Sequence, residues 1–217
     1  MEQSRRLDIV LEKQRIWREA EQRVAGFRDG LGRMVDPSIC DVLVACMVNG
    51  LPTRQSCGGH IAYEEPCEGW AFPWICFAAD RPDSRWVGEA DIRRRISQAY
   101  GVSPRQMEDI PEAADAFYDA VDQLEPVETE EFRAWSLRLQ RTAHVVRQVI
   151  EQVHETHPFS ALSLVMRNGR LEVNRRWEGG RREAPKNLEE LAASIREART
   201  LFERFGLILK DRFFESE

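Results

Sequence analysis

Thr53, Ser56, Cys57 and His60 fall within eight positions of one stretch, Leu51-Pro-Thr-Arg-Gln-Ser-Cys-Gly-Gly-His60. A thiolate attacks well once a neighbouring base or a helix N-terminus lowers its pKa from about 8.5. An imidazole exchanges protons near neutral pH. Cys57 and His60 are therefore the candidate catalytic pair, and Thr53, Ser56, Gly58, Gly59 and Trp74 the candidate ligand-binding residues. Gly58-Gly59 lets the main chain enter the positive-φ region that other residues avoid, bending it so that the flanking side chains edge a pocket. Two other readings stay open. In one, Cys57 packs as a small buried residue at a strand end while His60 caps the turn. In the other, Cys57, His60, Cys67 and Cys76 supply the donors of a Cys3His zinc site. Only Cys57 and His60 have the short separation that such sites use twice, and Cys76 lies in an apolar run, so no bound metal is expected. These spacings name no particular cofactor.

The stretch sits between apolar segments, Val42-Leu-Val-Ala-Cys-Met-Val48 before it and Phe72-Pro-Trp-Ile-Cys-Phe-Ala-Ala79 after it. Spacing at threes and fours predicts an N-terminal helix over 5–34, weakened at Gly30 and Gly32. Asp36-Pro37 reads as an N-cap with proline at the first helical position, opening a second helix that closes at Gly50. Strands are predicted at 51–56 and 73–79, and the motif region at 36–79. The helical region over 84–154 comprises a helix from Ser84 to about Tyr100, another opened by Ser103-Pro104 and interrupted at Pro111, and a long one from Thr129. Ala161 to Met166 and Leu171 to Arg175 flank Arg167-Asn-Gly-Arg170, the strongest short-range hairpin signal, predicting a hairpin over 161–176. Asn187 caps a final helix over 187–212.

Helices outnumber strands and no strand-helix-strand unit recurs. The expected fold is therefore one α+β domain over residues 1–217: a small, mainly antiparallel four-stranded sheet packed with several long helices. No Gly-x-Gly-x-x-Gly follows a strand, and neither a phosphate-binding Gly-x4-Gly-Lys-Ser/Thr nor a His-Glu-x-x-His occurs. Those absences argue against the commonest nucleotide and zinc-protease sites.

With 217 residues, 42% of them hydrophobic and 31% charged, the chain has the composition of an ordinary globular protein. A formal charge of −6 makes a nucleic-acid partner unexpected, and the arginine runs at 93–95, 175–176 and 181–182 read as solvated faces. No apolar run reaches the roughly 20 residues that span a bilayer, and the charged start does not resemble a secretory signal. A cytoplasmic location is expected, with the five cysteines reduced. The expected partners are a small-molecule ligand or a second copy of the chain.

Asn49-Gly50, the Leu-Pro-Thr-x-x-Ser-Cys-x-Gly-His60 that follows and Pro73-Trp74-Ile75 together resemble an uncharacterised bacterial family carrying Thr-x-x-Ser-Cys-Glu-Gly-His and then Pro-Trp or Pro-Tyr. The resemblance covers residues from about 36 to 79 and brings no established activity. Gly58 stands where that family has glutamate, so an acid-base role for this carboxylate would fall to Glu64 or Glu65. A shorter resemblance, through Thr53, Ser56, Cys57 and Gly59, is to the wybutosine-synthesis methyltransferases. It implies S-adenosylmethionine and a modified-tRNA substrate, with His60 in place of their arginine.

Overall fold

The computed structural model describes residues 2–28, 32–59, 72–77, 81–158, 160, 162–167, 170–175 and 188–216. Their elements run α1 (Glu2–Gly26), α2 (Pro37–Val48), β1 (Thr53–Cys57), β2 (Trp74–Phe77), α3 (Glu89–Tyr100), α4 (Pro111–Val121), α5 (Glu130–Thr156), β3 (Leu162–Arg167), β4 (Arg170–Arg175) and α6 (Leu188–Glu215). The fold is α+β, with six helices and one antiparallel four-stranded sheet in the order β1-β2-β4-β3. The residues group into two compact units, 1–78 with 141–217 and 79–140.

In the first unit α2 is the centre. Asp36 accepts the Ser38 N–H at 2.8 Å and Pro37 opens the helix. At the other end Gly50 turns left-handed (φ 68) and the Leu51 N–H bonds the Cys46 carbonyl at 2.9 Å, a Schellman-type closure that also buries Leu51. Between these caps Ile39, Val42, Leu43, Val44, Ala45 and Cys46 are all buried, more than one helix face can hold, so α2 is surrounded from Val42 to Cys46. α6 runs parallel to it, with Gly206 against Val42 and the Leu209 carbonyl accepting the Asn49 side-chain amide at 2.8 Å. α1 lies antiparallel to α6. Its Trp17 ring meets Phe213 and Phe214, and Lys210 sits over the same ring.

One face of the sheet is apolar, with Ile75, Phe77, Leu162, Leu171 and Val173 buried. The α5 stripe, Phe132, Trp135, Leu139, Ala143, Val146, Val149, Ile150 and Val153, is buried at helical spacing, with Val145 at its half-buried edge. Thr129 caps this helix through the Phe132 N–H at 3.1 Å, and the His154 ring bonds the Leu162 carbonyl at 3.0 Å.

The second unit has its own core of Ile92, Met107, Ala113 and Phe117, ringed by Ile96, Val102, Ile110, Val121 and Leu124. Buried Glu89 accepts the N–H groups of Arg85 and Trp86 at 2.6 and 3.0 Å, satisfying the donors that precede α3.

Several boundaries differ from the sequence expectation. α1 stops at Gly26 and not at 34, because the chain doubles back to pair Arg28 with Met34 in an isolated bridge, with Gly32 at φ 78. α3 starts at Glu89 and not at 84, because residues 85–87 bond back to 127–129 through the isolated Trp86–Glu128 bridge. Ser103-Pro104 opens a turn and a 3-10 segment, and Pro111 begins α4. The Asn168-Gly169 turn and the Asn187 cap lie outside the described residues, although β3 and β4 pair as the hairpin requires.

A Cβ on Gly206 would stand 3.2 Å from both Cα and Cγ2 of Val42, whereas one on Gly26 meets nothing within 4 Å. Gly206→Val is expected to cost about 2 kcal/mol or more by forcing the two central helices apart. Gly26→Ala is expected to be neutral or to stabilise by up to about 1 kcal/mol. Chemical denaturation of the two variants checks the contrast.

Candidate functional site

The turn after β1 is built from three elements that are distant in sequence. Gly58 is buried against the start of α2: a Cβ there would overlap Ser38 Oγ and come within 2.5 Å of the Asp36 carboxyl carbon. Gly59 takes φ 79, which a side chain disfavours. Arg199, from α6, then reaches both carbonyls, with Nε donating to Gly58 O at 2.9 Å and Nη2 to Gly59 O at 2.6 Å. Ser38 Oγ donates to Asp36 at 2.7 Å and lies 3.5 Å from the Gly58 carbonyl. The two glycines thus have separate physical reasons, close approach for Gly58 and backbone conformation for Gly59.

Strand register separates the side chains that the sequence placed together. Cys57 lies opposite Trp74, Ser56 opposite Ile75, Gln55 opposite Cys76 and Thr53 opposite Phe77, with an irregularity at Arg54 that shifts the pairing. Residues directly opposite share a face, and successive residues alternate. Cys57 and Trp74 therefore share one face, whereas Ser56 and Thr53 lie on the other, with buried Ile75 and Phe77. The Cys57 row continues across the sheet through Asn174 on β4 to Ser163 on β3. Trp74 Nε1 and Ser163 Oγ are both shielded from solvent without a hydrogen-bond partner among the described residues. Between them Asn174 Nδ2 donates to Glu172 at 2.5 Å.

His60 and Cys67 lie outside the described residues, and with them the Cys57/His60 pair and the four-residue zinc set. Among the described residues no group of three or more His, Cys, Asp or Glu is placed to hold a metal ion. Cys40, Cys46 and Cys76 carry free thiols. Burial pushes the thiols of Cys40, Cys46 and Cys76 above the ordinary cysteine value. Asp41 and Asp36 add to the rise at Cys40, and Arg170 and Arg54 offset part of it at Cys76. At Cys57 the Gly59 N–H donates to the sulfur at 3.4 Å.

Sequence reading missed Arg199, Asn174 and Ser163 as neighbours of this region. Arg199 is one of many arginines on a helix, and the other two became neighbours only through strand order. Asp36 was legible as a helix start but not, with Ser38, as the wall of the turn. In the second unit, a surface concavity of about 560 Å3 is lined by Arg81, Pro82, Asp83, Glu131, Ala134 and Arg138. Its four charged residues are all exposed, and it contains none of the residues singled out by the motif. Among the described residues no helix is long and apolar enough to cross a membrane. Comparison with protein-family models, with curated proteins and with solved structures finds no match, so the resemblances drawn from the motif stand on its residues alone.

Gly58→Ala is expected to destabilise the protein by about 3 kcal/mol, since the added methyl group must displace the α2 cap. Arg199→Met should cost about 2 kcal/mol through two lost charge-assisted hydrogen bonds. Urea titrations of both variants test this. A second expectation follows from the raised thiol of fully buried Cys46. A thiol with a higher pKa in the folded state lets the unfolded chain ionise first. Its contribution is fully present below the unfolded value and is lost as pH rises from about 8.5 toward the folded value. Between pH 9 and 10.5 the wild type should lose about 1.4 kcal/mol more per pH unit than Cys46→Ala. Parallel slopes for the two proteins would refute it.

Proposed function

We propose that this protein binds a small polar ligand with a planar portion at the end of β1, between Cys57 and Trp74, in a reducing, cytoplasmic setting. The observation that carries the reading is the pairing of Cys57 with Trp74 on one sheet face, beside a glycine turn fastened from two helices. A thiol whose sulfur accepts a backbone N–H and an indole that offers a flat surface form one edge of a binding site. Gly58 and Gly59, both buried, let the chain turn closely against α2, and His60, the next residue, is the proton carrier of the reading. Thr53 and Ser56 support the strand from its other face. Cys57 and His60 are the pair through which a covalent or acid-base step would run.

A second reading, an interaction protein that pairs through its terminal helices, draws on α1. Leu7, Val10 and Leu11 recur at helical spacing near its N-terminus and are 59%, 45% and 51% exposed.

A metabolite screen by thermal shift separates the two. Under the ligand-binding reading Cys57→Ala and His60→Asn keep the wild-type melting temperature to within about 3 °C and abolish the stabilisation that a screened metabolite gives. Loss of several kcal/mol in either variant would assign that side chain to packing and move the interaction reading to first place.

A further inference from the structure

We propose that β3 is a pairing edge, which adds antiparallel to β3 of a second copy of this chain so that two four-stranded sheets become one. β3 closes the order β1-β2-β4-β3 on the side opposite the glycine turn, so ligand binding at that turn and pairing here are independent. An edge strand presents a row of unused N–H and C=O groups, which proteins usually blunt with proline, charge, a bulge or short length. β1, the other edge, follows Pro52, has five residues and shifts its pairing between Thr53 and Gln55. β3 has six residues, Leu162-Ser-Leu-Val-Met-Arg167, and pairs with β4 without a shift. It carries neither charge nor proline before its last position. One edge of the sheet is guarded and the other is not.

Leu162 fixes which backbone groups of β3 face outward. Its N–H donates to Ser160 Oγ at 3.2 Å and its carbonyl meets the His154 ring at 3.0 Å, so both point away from β4. Backbone direction repeats at every second residue of a strand, which turns the N–H and C=O of Leu164 and Met166 the same way. Leu162 is capped from within the chain, whereas those groups of Leu164 and Met166 have no partner among the described residues. Met166 is 61% exposed, and Leu164 and Val165 are half-buried.

These groups match a second copy of the same strand. A two-fold axis at Val165 sets Leu164 opposite Met166 of the partner subunit, and Met166 opposite Leu164 of the partner subunit. Each pair exchanges two backbone hydrogen bonds, so every outward group of the two residues is used and the ladder stops where Leu162 is capped. An axis at Leu164 would set Met166 against the capped Leu162, and one at Met166 would leave Leu164 facing a position past the end of β3. A two-fold pairing also sets like against like at its centre, where a charged residue repels itself. Here the central pair is valine with valine, flanked by leucine with methionine, all suited to a pleated, half-buried surface.

Sedimentation equilibrium of the full chain in reducing buffer, up to about 1 mM so that even millimolar affinity is seen, tests the pairing. The wild type is expected to form dimers. Met166→Pro removes an outward N–H and leaves the bonds to β4 in place, and Met166→Lys puts a charge on the edge. Each is expected to weaken the dimer roughly tenfold or more. Both should keep the wild-type melting temperature, measured in dilute solution, to within about 3 °C. Val165→Cys is expected to give a disulfide-linked dimer on mild oxidation, since residues opposite in such a pair stand about 4.5 Å apart at Cα. If Met166→Pro fails to fold, Met166→Lys decides. A wild type that stays monomeric throughout, or a Met166→Lys chain that associates as the wild type does, would overturn the proposal. So would a Val165→Cys chain with no more linked dimer than the wild type. Association lost in Leu7→Ser or Leu11→Ser but kept in Met166→Lys would move the contact to α1 and overturn it as well.

Discussion

The first unit depends on the contact between α2 and α6. α2 is too apolar to survive with more than the strip of Pro37 and Asp41 in water, and α6 makes room for it by offering a glycine where Val42 approaches. Phe202, Phe205 and Leu209, the neighbouring α6 side chains, are almost wholly withdrawn from solvent. Each contributes about 1.5–3 kcal/mol relative to exposure. The two helices run in the same direction, so the N-terminus of α2 and Arg199 of α6 arrive at the same end of the contact, and the capping atoms at its other end, Asn49 and the Leu209 carbonyl, also meet.

That geometry decides what the glycine turn can be. The Arg199 guanidinium has a fixed fork of donors, and it meets two successive carbonyls just past the end of β1. Gly58 is pressed onto the α2 cap from the same side. The turn is therefore a rigid joint in which the helix contact is transmitted to the end of β1, and the position of the Cys57 sulfur follows from helix packing more than from the local sequence. This is a costly way to make a simple strand end, and it is the physical reason for reading the turn as a site.

The second unit is organised by a different constraint. Glu89 is buried with its carboxylate turned back onto two backbone N–H groups, and Arg93 lies 3.6 Å from its second oxygen. Gly88, at φ 91, carries no side chain that could cap α3, so the carboxylate one position later takes over that task. Arg93 in turn covers the Phe117 ring, joining the α3 start to the Ile92, Met107 and Phe117 core.

By itself the sequence determined the elements whose signals are local. The α2 cap at Asp36-Pro37, the left-handed stop at Gly50, the apolar stripe of α5 and the β3/β4 hairpin all rest on interactions within a few residues, and each stands where its residues required. The sequence also selected the α+β class, because helical and alternating periods are separately visible. Boundaries slipped where a long-range partner intervened: Met34 pairs with Arg28 in place of continued helix, and residues 85–87 run against 127–129. The candidate site divided in the same way. Its Cys-Gly-Gly core was legible as a bent backbone, yet Gly58 belongs to α2, Thr53 and Ser56 face away from Cys57, and Trp74, Asn174 and Ser163 join it only in the folded sheet. Only the tertiary structure decided these points, because a one-residue irregularity at Arg54 resets which side chains share a face, and strand order, which no local spacing encodes, sets which strands are neighbours.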